Sequence, residues 1–314
     1  MKIYFIVNPM SGQGKAYRTI EKKLEEADFE YEIYLTTAPH DATRFVKEKC
    51  EEHAGETVRF IACGGDGTLN EVANGAVGFE NAEISCCPCG SGNDFVKYYG
   101  GADRFSDPKT VATAPVQKID LIKVGDKYSI NVVHFGFDTQ VLRTMLKVKH
   151  MKLIGGKNAY NTGVVSAVLT GMKNKGKLYA DGELLNENGK FLLCTAANCS
   201  HIGGKFYCAP KAENNDGMID VCAVKPISRF RLMNLINAYE KGEHLDDPRF
   251  AEIVKYRRCK KFTVEAPEGF CISIDGELTA LNKFTCEIVP AAISFAVPAV
   301  NAESKDTQKE ELHT

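Results

Sequence analysis

Phe60-Ile61-Ala62-Cys63-Gly64-Gly65-Asp66-Gly67-Thr68-Leu69-Asn70-Glu71 switches from strand grammar to helix grammar across a turn rich in glycine. Val58 to Cys63 is short, apolar or β-branched, as in a strand buried on both faces of a parallel sheet. After Thr68 the apolar residues Leu69, Val72, Ala73, Ala76 and Val77 recur at helical spacing. Between them, Gly64, Gly65 and Gly67 lack a Cβ, so backbone N–H groups can approach a bulky anion where a helix begins. A phosphate fits such a turn. Asp66 in its middle would repel a polyphosphate unless a divalent cation lies between them, which points to Mg²⁺ held by Asp66 directly or through water. The competing reading is an ordinary tight turn in which Asp66 caps the helix.

Spacing excludes the commonest phosphate motifs. For a Walker A loop ending at Gly14-Lys15, Pro9 stands where the first glycine belongs and Ala16 where the metal-binding hydroxyl belongs. Gly65-Asp66-Gly67 is followed by Asn70, and Gly90-Ser91-Gly92 by Phe95, so neither completes a dinucleotide fingerprint. With 39 basic and 41 acidic residues, the chain has no bulk charge that would select nucleic acid. The apolar run at Ile3 to Val7 is too short for a signal peptide or a membrane span. Twelve cysteines without an export signal suit a reducing cytosol. Cys86-Cys87-Pro88-Cys89 contains a C-x-x-C, but no second pair stands at ribbon spacing, which disfavours zinc.

A length of 314 residues suits two domains. Strands are expected at Lys2 to Val7, Tyr31 to Leu35, Val58 to Cys63 and Ile84 to Pro88. Helices are expected from about Lys15 to Ala27, from a cap at Asp41 to about His53, and after Thr68. The strand-to-helix junctions carry Ser or Thr, Gly and Asn, so their loops should converge at one edge of a parallel sheet, where open α/β sheets bind ligands. From about Lys118, turn signals at Gly125-Asp126, Asp181-Gly182, Glu187-Asn188-Gly189, Asn215-Asp216-Gly217 and Asp275-Gly276 divide short strands into a mainly β second domain. Helical stretches near Val141 to Lys175 and Arg229 to Tyr239 interrupt it, and a last strand, Ala292 to Val297, precedes a polar tail.

Asn8-Pro9-x-Ser11-Gly12, Gly64 to Glu71 and Gly90-Ser91-Gly92-Asn93-Asp94-Phe95 resemble the three nucleotide loops of the bacterial diacylglycerol kinase and lipid kinase family. The likeness continues through Asn198, Gly203-Gly204, Ala209-Pro210-x-Ala212, Asp216-Gly217-x-x-Asp220 and Ile274-Asp275-Gly276-Glu277. It implies a nucleotide-binding α/β domain over residues 1–122 with a returning segment 293–314, and a β-sandwich lipid and metal domain over residues 123–292. It places ATP against Asn8, Pro9, Met10, Ser11, Gly12, Thr36, Gly65, Asp66, Gly67, Thr68, Leu69, Asn70, Glu71 and Ser91. It also implies a second, structural Mg²⁺ at Asp216, with the main chain of Glu213 and Met218 and a water-linked Asp120, a ligand chemistry suited to a hard cation. His201 departs from the family pattern and reads as a groove-lining or surface residue; Met10 is often smaller in the family.

The activity so implied is transfer of the γ-phosphate of ATP to a lipid hydroxyl, with diacylglycerol ahead of a sphingoid base or a glycolipid. Asp66 would organise Mg²⁺, and Glu277, fixed by the Asp275-Gly276 turn, would act as the base facing the nucleotide loops. A kinase for a soluble acceptor such as NAD would share the Asp66 turn but not Asp275-Gly276-Glu277 or the metal loop. A sensor that binds ATP without turnover would not need Asp66 and Glu277. The expected partners are ATP, a membrane lipid and, transiently, the membrane surface, with a cytoplasmic location, no nucleic acid and room for a homodimer. One candidate membrane patch mixes Arg143, Lys147, Lys149, His150, Lys152 and Lys157 with Met145, Leu146, Val148, Met151, Leu153 and Ile154; its competing reading is a solvated helix face. A second basic run, Lys255 to Lys261, reads as a segment that precedes an exposed strand.

Overall fold

The computed structural model describes residues 1–148, 166 and 171–299. They divide into two compact units: Met1–Lys118 with the described residues from Ile293 onward, and Ile119–Ala292.

The first unit is an α/β layer structure. Strands β1 (Lys2–Val7), β2 (Glu32–Leu35), β3 (Val58–Gly64) and β4 (Ala82–Pro88) are joined by helices α1 (Ala16–Leu24), α2 (Asp41–Glu52) and α3 (Asp66–Ala76). The last four residues of the strand Lys283–Ala296 lie beside β4, and the spatial order continues β4, β3, β1, β2 with every pair parallel. All seven residues of β3 are buried, as the apolar run at the centre of the sequence predicts. Parallel order places the C-terminal ends of β1, β3 and β4, and the loops that leave them, on one edge of the sheet.

One start signal is read differently by the fold. Helix α2 begins at Asp41, but its cap is His40, held at φ 65°, and no side chain caps it. The Asp41 carboxylate instead accepts from Thr37 N (2.9 Å), Thr37 Oγ1 (2.9 Å) and Tyr34 OH (3.0 Å) and pairs with Arg44 (2.6 Å). Burial alone would push this carboxyl up; the Thr37, Arg44 and Tyr34 hydrogen bonds outweigh it and hold the group at about 2.

The second unit is a β-sandwich. One sheet is antiparallel throughout, in the order Val254–Cys259, Ile219–Val224, Leu193–Ala197, Val132–Gly136, Cys271–Ile274, Glu277–Ala280. The facing layer pairs Glu183–Leu184, Lys177–Ala180 and Lys261–Glu265 with the first part of Lys283–Ala296. Ile122, Val133, Phe135, Leu178, Phe191, Val221, Phe262 and Ile272 fill the space between the layers. Phe135 meets Phe191, Phe270 and Phe284 edge-on at 5.4–5.7 Å, contacts worth roughly 0.5–1.5 kcal/mol each beyond their buried area. On the other face of the first sheet, helices Phe137–Val148 and Arg229–Glu240 cover Val132, Leu193 and Val224.

The helical stretch expected near Val141 to Lys175 begins earlier, at Phe137, and its middle falls largely outside the described residues. Its end is strand, since Asn174–Lys175 pairs with Lys190–Phe191. The last strand is the fourteen-residue Lys283–Ala296 rather than a short terminal piece. The Lys255 to Lys261 run does not simply precede a strand but spans two, Val254–Cys259 and the start of Lys261–Glu265, with Lys260 between them; Val254–Cys259 ends its sheet, where charged side chains oppose edge-to-edge pairing. All twelve cysteines are reduced thiols, and burial pushes those of Cys63 and Cys86 well above their ordinary range.

Candidate active site

Two glycine turns meet in the first unit. Cys89 N donates to Gly64 O at 2.7 Å, and a Cβ on Gly90 would stand 2.6 Å from Gly65 Cα, so only glycine allows the turns after β3 and β4 to touch backbone to backbone. Asn93, at φ 47°, staples the second turn by accepting from Gly90 N (3.1 Å) and donating to Gly90 O (2.9 Å). Helix α3 is capped by Gly65 with no side-chain cap bond. Asp66 therefore does not cap its own helix; its Oδ1 accepts from Phe95 N, at 3.2 Å, in the neighbouring turn. A Cβ on Gly92 would lie 3.1 Å from Asp66 Oδ2 and 3.5 Å from Asp94 Oδ2, so two carboxylates flank one small gap. Lys97 pairs with Asp94 at 2.6 Å on the same helix.

The first loop joins them. Asn8 N donates to Cys63 O (3.1 Å), Asn8 Nδ2 reaches Thr68 Oγ1 (3.5 Å), and Asn8 Oδ1 and O accept from Met10 N and Ser11 N. Gly12 approaches Cys89, whose carbonyl oxygen would be 3.7 Å from an added Cβ. Thr36 leaves β2 next door, with its N–H on Val7 O at 3.0 Å. Met10 and Ser91 are exposed and Pro9 half-buried. Two expected nucleotide residues face elsewhere: Leu69 is a core side chain, and Glu71 Oε2 accepts from Ala42 N (3.3 Å) at the start of α2. For Gly67, Thr68 and Asn70, proximity follows from their place in the turn and the first helical residues.

In the second unit, Asp275 and Gly276 form a tight hairpin turn with φ 46° and 91°, and Glu277 begins the returning strand. The Asp275 carboxylate accepts from Ser129 Oγ (2.6 Å) and from the N–H groups of Ile130, Asn131 and Val132 (2.8–3.1 Å). Burial pushes this carboxyl up while those bonds oppose it. Its anchoring role is not visible in an Asp-Gly dipeptide, which signals only a turn. Glu277 is half-buried, and its carboxylate pairs with Lys127 at 3.2 Å.

The metal loop is occupied by protein groups. Both oxygens of buried Asp120 are taken directly, by Gly217 N and Ala291 N at 2.7 Å. Asp216 Oδ1 accepts from Met218 N (2.9 Å), and its Oδ2 meets the Arg258 guanidinium. Arg258 Nε stands 3.9 Å from Asp220 Oδ2, and the Glu213 side chain is exposed. Burial, opposed by Tyr256 and Arg258, pushes the Asp220 carboxyl up to about 6. With a guanidinium already on Asp216, these residues do not fit a second Mg²⁺ as they stand. His201 is half-buried, stacked on Tyr207 at 4.5 Å.

Asp94 and Lys127 were not marked by the sequence reading; the carboxylate inside the Gly90 to Phe95 turn was the available signal for the first, and nothing signalled the second. Of the basic patch, Arg143, Met145, Leu146, Lys147 and Val148 are described; Lys149, His150, Met151, Lys152, Leu153, Ile154 and Lys157 lie outside the described residues.

A parallel sheet with three converging phosphate-type turns, followed by a β-sandwich, defines a nucleotide-dependent kinase of the lipid kinase type. Residues 2–124 match the diacylglycerol kinase catalytic domain and residues 131–297 the YegS C-terminal NAD kinase beta sandwich-like domain, and the chain belongs to this family of kinases. It is 28% identical to the diacylglycerol kinase of Bacillus subtilis (strain 168), covering 96% of this chain and 98% of that one. It is 29% identical to the diacylglycerol kinase of Staphylococcus saprophyticus, covering 87% of each. A crystal structure of a diacylglycerol kinase from Bacillus anthracis str. Sterne superimposes with a TM-score of 0.67 at 19% identity, over 96% of this chain and 97% of that one, which supports the fold.

Proposed function

We propose that this kinase transfers the γ-phosphate of ATP to the hydroxyl of a membrane lipid, diacylglycerol being the acceptor its relatives' names favour. The observation that carries the reading is the backbone contact between the Gly64–Gly65 and Gly90 turns, with Asp66 and Asp94 on either side of Gly92. Asn8 to Gly12, Thr36, Gly65 to Glu71 and Ser91 hold the nucleotide, Leu69 and Glu71 by shaping the turn rather than by their side chains. The carboxylates of Asp66 and Asp94 suit a hard divalent cation that keeps waters and phosphate oxygens as its other ligands. When bound, Mg²⁺ supplies charge neutralisation at the phosphate oxygens.

The residues of the chain do the rest. Glu277 takes the proton from the acceptor hydroxyl as its oxygen bonds to phosphorus and the bond to ADP breaks. Lys127 orients the Glu277 carboxylate, and Asp275 holds the hairpin that carries it. In this reading residues 1–122 with 293–314 serve the nucleotide and residues 123–292 the lipid, at the cytoplasmic surface of a membrane. No role is assigned to a second Mg²⁺ at Glu213, Asp216, Met218 and Asp120. The test is incubation of the purified protein with labelled ATP and diacylglycerol, a sphingoid base or a glycolipid in mixed micelles. Labelled phosphatidic acid is expected. Label only in another lipid would move the acceptor, and ATP binding without labelled lipid would leave a nucleotide sensor.

A further inference from the structure

Helix Arg229–Glu240 buries Leu232, Leu235, Ala238 and Tyr239 against the sandwich, as an amphipathic helix should. Its outward stripe does not follow the rule. Phe230 is 78% and Met233 62% exposed, three residues apart on one side of the first two turns. Two large apolar side chains this exposed, side by side and set among cations, suit a surface that meets an apolar phase bounded by negative charge.

The surrounding charge is of one sign. From Lys225 to Tyr239 the chain contains Lys225, Arg229 and Arg231 and no acidic residue. Arg231 is held by the Arg249 carbonyl oxygen at 3.2 Å, which directs one guanidinium along this edge. Of the acids that follow the helix, Glu240 pairs with Lys205 (2.6 Å), Asp246 with Lys211 (3.2 Å) and Asp247 with Arg249, while Glu243 is exposed just beyond Gly242. Among the described residues no helix is long and apolar enough to cross a membrane.

We infer that the Phe230–Met233 face is where the kinase rests on an anionic lipid surface, with the two apolar side chains entering the headgroup and acyl boundary and Lys225, Arg229 and Arg231 meeting lipid phosphates. This rests on the reading that the acceptor is a bilayer lipid. Cosedimentation with vesicles of phosphatidylcholine containing about a third phosphatidylglycerol tests it. The double variant Phe230→Ser, Met233→Ser should bind those vesicles about tenfold more weakly or less. Its melting temperature should be unchanged, and so should its turnover of diacylglycerol in detergent micelles, where docking is bypassed. Arg229→Glu with Arg231→Glu should weaken binding to the anionic vesicles only, leaving the weak binding to pure phosphatidylcholine as it was. Unchanged vesicle binding of the Phe230, Met233 variant would overturn the inference. So would a change from dimer to monomer in that variant, since it would make the face a contact between copies. Absence of wild-type turnover in micelles would sink the acceptor reading alone, whatever the vesicles show.

Discussion

Asp66-Gly67 and Asp216-Gly217 are the same dipeptide, and both invite a cation when read in sequence. The fold separates them by what it brings from elsewhere. Asp66 faces a second carboxylate, Asp94, across the space of a missing Cβ at Gly92. Asp216 faces Arg258, which lies 42 residues further along the chain. Each pair of carboxylates already has one protein cation beside it; Lys97 sits on Asp94, the partner of the expected ligand, whereas the Arg258 guanidinium sits on Asp216, the expected ligand itself, and competes directly with a metal ion there. The difference lies in the second partner, and the dipeptide does not encode it.

The largest effect is expected where the pair of carboxylates is broken. Asp66→Asn keeps the acceptor oxygen for Phe95 N but removes the charge, and turnover should fall by about 10³-fold or more with the fold intact. Steady-state phosphorylation of diacylglycerol across a Mg²⁺ titration measures it. Activity near wild type at saturating Mg²⁺ would mean that Asp94 suffices or that the cation is held elsewhere.

Glu277→Gln comes next. The side chain keeps its size and cannot take a proton, but the site is half-open to solvent, so a loss of about 10²- to 10³-fold is expected, with ATP affinity little changed. Lys127→Ala should lower turnover less than this without moving the affinity for ATP, because Lys127 orients the carboxylate and does not touch the acceptor. A Gln variant within about threefold of wild type would remove Glu277 from the mechanism.

A third carboxylate extends the comparison, because burial is what shifts its ionisation. Among the described residues Asp138 Oδ2 is buried with no hydrogen-bond partner, and burial pushes the carboxyl up to about 7. Burial pushes up the ionisations of Cys194, Cys222 and Tyr239, and the nearby Asp138 charge adds to it. The folded chain keeps this proton between about pH 4 and pH 7 while the unfolded chain releases it, so stability falls as pH rises through that window and the loss is complete above it. Asp138→Asn should leave melting unchanged near pH 4 and raise it by several degrees at pH 8, a gain on the order of 2 kcal/mol after relaxation of the ionised form. Equal melting shifts at both pH values would place the effect in packing.

How far the sequence could be read follows the same line. The β1 and β3 strands were legible because every residue that matters lies in one apolar run, and Lys2–Val7 ends where Asn8-Pro9 says it should. Helix α2 was legible in extent but not in its cap, since Asp41 spends its carboxylate on Thr37 and Tyr34 and His40 takes the cap position. The strand Lys283–Ala296 was read only at its apolar end. Its first five residues alternate in burial, the pattern lapses from Ile288 to Ala292 with Pro290 and Ala291 exposed, and the pairing of Ser294 with Glu83 is set by tertiary contact. Of the candidate site, the glycine turns and Asp66 could be found from local grammar. Asp94 opposite Asp66, Lys127 on Glu277 and Arg258 on Asp216 are meetings of distant segments, and no spacing rule reports them.

The smallest expected effect is the most direct test of that last meeting. In Arg258→Ala, Asp216 and buried Asp220 lose their shared guanidinium, and the Asp220 carboxyl, already at about 6, should rise further. Because the Arg258 side chain is 43% exposed, the pair is screened by solvent, and a loss of about 1–2 kcal/mol is expected rather than the larger figure for a fully buried bridge. The readout is melting without nucleotide, in chelator and in Mg²⁺. With Asp66→Asn in both chains, so that a cation at the glycine turns does not contribute, the two curves of the chain that keeps Arg258 should coincide, since a guanidinium already does what the cation would do. For Arg258→Ala they should separate, with Mg²⁺ restoring part of the loss, because a cation that binds only the folded loop stabilises it by linkage. If the Asp66→Asn chain that keeps Arg258 still melts higher in Mg²⁺, the cation displaces Arg258, and the contrast between Asp66 and Asp216 is one of affinity rather than of kind.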